Sequence, residues 1–217
     1  KSVFDLSHLG FAHRHEGLSV ENVLVSEYLP GPTLDELLTR RKLTYDSLLE
    51  LFHIHGFYMF GIGTFHGDIH PGNIILQDDK FYFVDTGYIG SVNDKIRVNL
   101  FHFFDALSQW DYAQCAHFLH EMSEKQIDTP AYAAFEKKFL ELYADFKGTT
   151  VSQVSLTKKM METIRLGVLS GMEFSEGMFD IIKSLMYLDG MVLRCNPDAV
   201  LLRDMRRFIG EFKEFVK

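Results

Sequence analysis

Three oxygen-bearing side chains within residues 65–90 have types and a spacing that could do chemistry: Asp68, Asn73 and Asp85. Two carboxylates about 4 Å apart repel by about 1 kcal/mol in water and about 4 kcal/mol at an effective dielectric constant of 20, so a cation must offset the repulsion. Carboxylate and amide oxygens suit Mg²⁺ better than zinc, and Mg²⁺ commonly takes its remaining ligands from water and substrate phosphates. The set therefore indicates phosphoryl transfer or hydrolysis of a nucleoside triphosphate.

A β-hairpin is the element that would bring these side chains together. Residues 73–77 and 80–84 read as two short strands, joined by a tight turn at Asp78 and Asp79. The hairpin would return the chain to the loop that presents Asp68. The plain alternative is that these are ordinary turn residues, because Asp and Asn are common in turns. The agreement between the spacing and the hairpin favours a site.

The rest of the sequence predicts an α+β protein that is mainly helical. Residues 21–28 (ENVLVSEY) read as a strand without an obvious partner, unless residues 1–20 cover it. Thr33 and Glu36 form a capping box that starts a short helix ending near Arg41. Further helices are predicted at 44–61, 92–108, 112–122, 130–146, 156–169, 176–194 and 198–216. The last six begin at N-capping signals: Ser91, Asp111, Thr129-Pro130, Ser155, Ser175 and Asn196-Pro197.

The last predicted helix, 198–216, has an apolar stripe that allows two interpretations. The stripe consists of Leu202, Met205, Ile209, Phe212 and Val216. Its polar positions include Arg203, Arg206, Arg207 and Lys213. The helix could lie on a membrane surface. Packing in the core, or docking on a further lobe, is the favoured interpretation.

The composition excludes several classes of protein. The 217 residues are 47% hydrophobic and 24% charged, which is typical of a globular chain. A net charge of −8 argues against nonspecific nucleic-acid binding, and no nucleic-acid partner is expected. Cys115 and Cys195 read as reduced thiols, and the ten histidines show no convergent set of zinc ligands. No apolar run is long enough to span a bilayer, so a cytoplasmic or peripheral membrane location is expected.

The motif His66-x-Asp68-x-x-x-x-Asn73, followed by Asp85-x-Gly87, resembles the catalytic and metal-binding loops of the protein-kinase-like fold. The fuller strings FHGDIHPGN and VDTGYIG are most similar to the UbiB (AarF) family of atypical kinases, which typically reads FHxDPHPGN and DFGxxG. The similarity extends upstream through VLVSEYLPGPTLDELL and downstream through FDIIKSLMYLDGMVLRCNPD. The HGDxHPGN block also occurs in aminoglycoside- and choline-kinase-like phosphotransferases, but the downstream helices favour the UbiB family.

The resemblance implies that the chain is the large, C-terminal lobe of a protein-kinase-like domain. Residues 1–32 would be a hinge-proximal segment with one residual strand of the small lobe. Residues 33–217 would form the helical large lobe, with the catalytic loop, the hairpin and about six following helices. ATP and Mg²⁺ are the cofactors that this assignment implies.

The same resemblance assigns roles to the residues of the motif. Asp68 would be the catalytic acid that orients or deprotonates the acceptor. Asn73 and Asp85 would bind Mg²⁺, and thereby the nucleotide. Gly87 would give the chain conformational freedom after the metal ligand.

Further residues near the site are implied in the same way. Backbone groups of Glu27, Tyr28 and Leu29 would meet the adenine at the hinge. His66 is expected to be structural, packing beneath the metal loop. His70 is either a supporting residue of the site or a simple turn residue.

The sequence departs from the family pattern in three ways. Ile69 replaces a Pro, and Thr86 replaces the Phe of the metal motif, so an in-and-out switch of that side chain is not expected. The third departure is the absence of small-lobe features before the hinge. Neither a Gly- or Ala-rich phosphate loop nor a Lys-x-Gly-Gln segment is present, and Lys1 is the only lysine there. We expect a piece of a longer protein whose N-terminal lobe lies elsewhere, or otherwise a natural single-lobe relative.

Three functions fit these observations. The first is an atypical kinase or ATPase of the UbiB type, linked by resemblance to isoprenoid-quinone (ubiquinone) biosynthesis or lipid handling, with a lipid, quinone precursor or membrane surface as partner. The second is a pseudokinase-like interaction module that docks a partner chain. The third is a small-molecule phosphotransferase similar to the aminoglycoside and choline kinases. Metal-dependent nucleotide binding and acceptor-dependent ADP release would separate them.

Overall fold

The computed structural model describes residues 5–213 and residue 216, and in them the chain forms nine α-helices and five short strands. This confirms a mainly helical α+β fold. Lys1 lies outside the described residues, as do positions 214 and 215 of the last predicted helix. In the described residues, no helix is both long enough and apolar enough to cross a membrane.

The predicted hairpin is confirmed. Strand β3 (Ile74–Gln77) pairs antiparallel with β4 (Lys80–Phe83). The two turn residues, Asp78 and Asp79, have φ angles of 49° and 58°. Both angles are left-handed, as a two-residue turn needs if it is to match the twist of its strands. A further strand, β1 (Leu9–Gly10), pairs parallel with β4 and completes a three-stranded sheet.

A second sheet frames the loops on either side of the hairpin. Strand β2 (Thr64–His66) precedes the hairpin, and β5 (Ile89–Ser91) follows it. The two strands pair antiparallel, with His66 opposite Ile89. The segment that contains the hairpin and its flanking loops therefore begins and ends at the paired strands β2 and β5.

The predicted strand 21–28 is wrong as a regular strand. Its residues make isolated bridges, with Arg14 opposite Ser26 and Val20 opposite Val23. Backbone hydrogen bonds tie it to residues 13–15, including one of 2.8 Å from the Glu27 amide to the His13 carbonyl. The apolar side chains of this segment are largely exposed, so no buried face stabilises a longer ladder.

The two helices before the site begin as predicted. Helix α1 (Leu34–Thr39) has the full capping box between Thr33 and Glu36, with hydrogen bonds of 3.2 and 3.1 Å. Helix α2 (Tyr45–Gly56) continues as a π-helical turn over Phe57–Ile62. Gly63 ends that turn with φ of 79°, a left-handed conformation that glycine adopts without strain.

Five long helices follow the second sheet, close to their predicted positions. They are α3 (Asp94–Ser108), α4 (Tyr112–Met122), α5 (Thr129–Tyr143), α6 (Leu156–Leu169) and α7 (Gly177–Cys195). The predicted caps Asp111 and Ser155 are confirmed. The predicted caps Ser91, Thr129 and Ser175 are wrong. Asn93 caps α3 and Asp128 caps α5, whereas α7 starts after Glu176 without a side-chain cap.

The last predicted helix is broken in two. Asn196, predicted to start it, instead ends α7, and the chain then forms α8 (Leu201–Asp204) and α9 (Arg206–Phe212). At the break, Arg206 donates a hydrogen bond to the Ser108 carbonyl at the end of α3. The apolar stripe is buried throughout, which confirms core packing and makes the membrane-surface interpretation of that face wrong: Leu202, Met205, Ile209, Phe212 and Val216.

Removal of the capping box should destabilise the fold. We expect Thr33→Ala to lower the free energy of unfolding by about 1 kcal/mol, because the Glu36 backbone N–H loses its acceptor, the Thr33 hydroxyl. Urea denaturation measures the change. Thr33→Ser keeps the hydroxyl and should retain most of the stability, and an alanine variant as stable as the parent would contradict the prediction.

Stability should fall in mild acid because of His55. This side chain is 3% exposed, and burial lowers its pKa from 6.5 to about 3. Between these values the unfolded chain binds a proton that the folded chain does not, so the free energy of unfolding decreases as the pH falls.

The contribution of His55 can be isolated by substitution. When the pH is lowered from 7 to 5, the free energy of unfolding should decrease by about 2 kcal/mol more for the parent than for His55→Gln. Denaturation at a series of pH values measures the difference. His117→Gln, at an exposed position, serves as the control and should follow the parent curve. Equal pH dependence of His55→Gln and the parent would refute the assignment.

Candidate active site

The loop between β2 and β3 holds Asp68 in a fixed conformation. The Asp68 amide donates a hydrogen bond of 3.1 Å to Nδ1 of His66. The loop closes with a 3₁₀ turn over Pro71–Asn73, in which Nδ1 of His70 accepts from the Gly72 amide at 3.1 Å. His70 thus caps this turn, and its ring also lies edge-on against Tyr187 at 5.4 Å between centroids.

Asn73 joins this loop to the end of the hairpin. Its Nδ2 donates to the Asp68 carbonyl at 3.2 Å, and its own carbonyl accepts from the Val84 amide at 3.0 Å. Asp85 is the next residue after Val84, and its Oδ1 accepts from the Gly87 amide at 3.1 Å. The structure thus brings Asp68, Asn73 and Asp85 to the same end of the hairpin.

The donor atoms left at this place fit a hard cation. Asn73 uses its amide nitrogen toward the Asp68 carbonyl, so its amide oxygen is the atom that could serve a metal, and Asp85 has Oδ2 in addition to the oxygen bonded to Gly87. Within the described ranges, no three His, Cys, Asp or Glu side chains form a metal-binding group. One carboxylate and one amide oxygen suit Mg²⁺, which usually keeps several waters.

Asp68 has a partner that the sequence did not reveal. Lys183 of α7 places Nζ 3.1 Å from Oδ1 of Asp68. This ammonium group is the main reason that the pKa of Asp68 is below its usual value, and the hydroxyl of Tyr187 acts in the same direction. Lys183 lies far downstream of Asp68 and belongs to no motif, so no local signal in the sequence could have identified it.

His66 contacts both loops, through the Asp68 amide and through the backbone of Asp85. It is buried, and burial lowers its pKa, although hydrogen bonding to the backbone of Asp85 partly offsets the effect. Its ring tilts against Phe83 at 5.3 Å, and its carbonyl accepts from the Ser184 hydroxyl of α7 at 3.4 Å.

A cavity of about 590 Å³ adjoins these loops. The expected hinge residues Glu27, Tyr28 and Leu29 line one part of it. Val84 and Thr86, which flank Asp85, line another part. The hinge segment that the resemblance implies and the neighbours of Asp85 therefore border the same space, although Asp85 itself is not a lining residue. Thr86 is exposed at its edge and is not anchored in the core.

The expected hinge residues differ in their surroundings. Leu29 is buried, Glu27 is half-buried, and Tyr28 is 87% exposed. The Glu27 amide is already bonded to His13, so it is not available to a ligand in this arrangement. Any adenine contact here would use the other backbone groups of this segment.

Comparisons with known proteins cover the segment that contains both loops. Residues 14–119, which include the hinge segment and both loops, match the model of the ABC1 atypical kinase-like domain. The chain is 26% identical over 200 residues to a probable protein kinase UbiB of Blochmanniella pennsylvanica, a match that covers 87% of this chain and 36% of that protein. It is 25% identical over 219 residues to the probable protein kinase UbiB of Shewanella piezotolerans, covering 96% of this chain and 39% of the relative.

A plant protein matches over a similar span. The chain is 24% identical over 221 residues to an uncharacterised, chloroplastic aarF domain-containing protein kinase of Arabidopsis thaliana, covering 90% of this chain and 41% of that protein. The chain thus spans between 36% and 41% of the length of these three relatives. Residues 14–119 match the ABC1 atypical kinase-like domain, and the resemblance of the chain to the UbiB/AarF family of atypical kinases is confirmed.

Proposed function

We propose that this chain carries the catalytic and metal-binding loops of an ATP- and Mg²⁺-dependent atypical kinase or ATPase of the UbiB type. The observation that carries the proposal is the pair of hydrogen bonds made by Asn73. They hold the loop of Asp68 against the end of the hairpin that presents Asp85. Such a link is needed because two carboxylates repel each other unless the backbone fixes them and a cation compensates.

The three side chains would have two different roles, metal binding and binding of the acceptor. Asn73 and Asp85 would hold Mg²⁺, which when bound neutralises charge on the phosphates. Asp68 is a carboxylate whose lowered pKa keeps it ionised at neutral pH, so it is ready to accept a hydrogen bond from a hydroxyl or a water molecule. The oxygen of that group would form a bond to the γ-phosphorus while the bond to the leaving ADP oxygen breaks. Its proton would pass through Asp68 to solvent.

The cavity supports binding of a nucleoside. Its volume of about 590 Å³ is in the range of small-molecule sites, and apolar side chains dominate its walls. Several large apolar residues on its rim are strongly exposed: Phe11, Leu24, Tyr28 and Ile89. Exposed apolar rims commonly mark a surface that another part of a protein covers. We assign that part to a small lobe outside this chain, which would supply the phosphate loop and the lysine that the resemblance implies.

The substrate class that would accept the phosphoryl group follows from the family resemblance. The family resemblance links the activity to isoprenoid-quinone biosynthesis or lipid handling, and a quinone precursor or a lipid is the corresponding substrate class. A small-molecule phosphotransferase would release ADP only when its acceptor is added, whereas an ATPase would release it to water. Measurement of ADP release with and without candidate acceptors therefore separates the two.

Asp85 should be essential for metal-dependent nucleotide binding. In the full-length protein, Asp85→Asn should weaken the binding of Mg-ATP at least tenfold, because the metal loses its only charged ligand from this pair of residues. Isothermal titration calorimetry with Mg-ATP measures the affinity. Asp79→Asn, at the opposite end of the same hairpin, is the matched control and should bind as the parent does. Unchanged affinity of Asp85→Asn, or no binding by the parent, would favour the interaction-module interpretation.

Asp68 should affect turnover more than binding. We expect Asp68→Asn to lower kcat by a factor of about 10²–10⁴, the usual contribution of a positioned acid or base. Mg-ATP affinity should change less than threefold, because Asp68 is not one of the assigned metal ligands. Steady-state ADP release gives kcat, and Asp94→Asn, at an exposed aspartate, is the control. A loss of affinity equal to that of Asp85→Asn would place Asp68 among the metal ligands instead.

A further inference from the structure

A lysine from a distant helix lies at the candidate active site. Lys183 of α7 contacts Oδ1 of Asp68 through its Nζ at 3.1 Å. The side chains of Lys183 and Asp68 are 38% and 36% exposed, so the ion pair is only partly shielded from solvent. A partly exposed ion pair contributes little to stability. The contact is therefore readily exchanged for another anion.

Two tyrosine rings hold the ammonium group in place. Nζ of Lys183 lies 5.3 Å from the ring centroid of Tyr88 and 6.0 Å from that of Tyr187, within the range of cation–π attraction. The hydroxyl of Tyr88 donates a hydrogen bond of 2.6 Å to Oδ1 of Asp180. Gly67 permits this arrangement, because a Cβ at that position would lie 2.3 Å from the Tyr88 ring.

The loops themselves supply no positive charge at this place. Within residues 61–90 the sequence contains one Lys or Arg, which is Lys80. Lys80 begins β4 at the turn end of the hairpin, and a strand of this length spans about 13 Å. Asp68 and Asp85 lie at the other end. A terminal phosphate placed between these carboxylates would meet repulsion that one Mg²⁺ only partly offsets.

We propose that Lys183 binds the terminal phosphate of the nucleotide, exchanging its contact with Asp68 for a phosphoryl oxygen while the rings of Tyr88 and Tyr187 keep its ammonium group in place. The inference rests on the proposed function and deepens it. The exchange frees the carboxylate of Asp68 for the acceptor at the moment when the phosphate arrives. It also makes the lysine a sensor of the terminal phosphate, because ADP would not reach it.

The test compares a nucleotide with and without the terminal phosphate. In the full-length protein, dissociation constants are measured for Mg-ADP and for the Mg²⁺ complex of a non-hydrolysable ATP analogue, together with kcat for ADP release. Lys183→Met should weaken analogue binding about tenfold and leave ADP binding within twofold. It should lower kcat by about 10²-fold, as loss of one charged donor to a transition state commonly does. Lys183→Arg should retain most of the analogue affinity and most of kcat.

Lys125→Met is the matched control. Lys125 also makes an ion pair of 3.1 Å, with Glu173, but away from the site. Its variant should behave as the parent does in every assay. Melting temperatures of all variants are recorded, and Lys183→Gln replaces Lys183→Met if the latter does not fold.

The outcomes separate this inference from the proposed function. If the parent binds analogue and ADP but Lys183→Met preserves both affinities and kcat, the inference is overturned and the proposed function stands. Faster turnover of Lys183→Met would overturn it as well, since Lys183 would then block Asp68. If the parent binds neither nucleotide, the proposed function fails and the inference fails with it.

Discussion

The hydrogen bonds of Asn73 are the interaction on which the site depends. They connect two loops that are separated along the chain by the whole hairpin, one bond reaching the Asp68 carbonyl and the other the Val84 amide. The hairpin makes this closure possible, because its two-residue turn has the handedness that keeps the strands in register. A one-residue slip in that register would move Asp85 away and turn its side chain to the other face.

Helix α7 is the second support, and it acts through charge as well as packing. It contacts β5, and its Ser184 hydroxyl reaches the His66 carbonyl beneath the loops. One turn on either side of Ser184, the same helix face presents Asp180 and Tyr187, with Lys183 between them. Helix α7 thus supports the loop of Asp68 from below through a buried hydrogen bond, and from the side it places Lys183 against Asp68.

The features that were predictable from the sequence are local ones. The hairpin, the capping box of Thr33 and the positions of the helices follow from signals within a few residues of each other. The failures are of two kinds. The strand 21–28 had a suitable pattern, but its side chains find no face to pack against. The pairing of β2 with β5 and the contact of Lys183 with Asp68 are long-range, and no spacing in the sequence encodes them.

The charges of the loops limit how tightly the proposed nucleotide site could bind by itself. Asp68 and Asp85 bring two negative charges to the end of the hairpin, and Lys183 brings one positive charge. A triphosphate carries more negative charge than one Mg²⁺ and one ammonium group neutralise, and the chain as a whole has a net charge of −8. Tight binding of Mg-ATP therefore requires further positive charge from outside the described loops. The exposed apolar rim of the cavity, where Phe11 and Tyr28 face solvent, is the place where a lobe carrying that charge would sit.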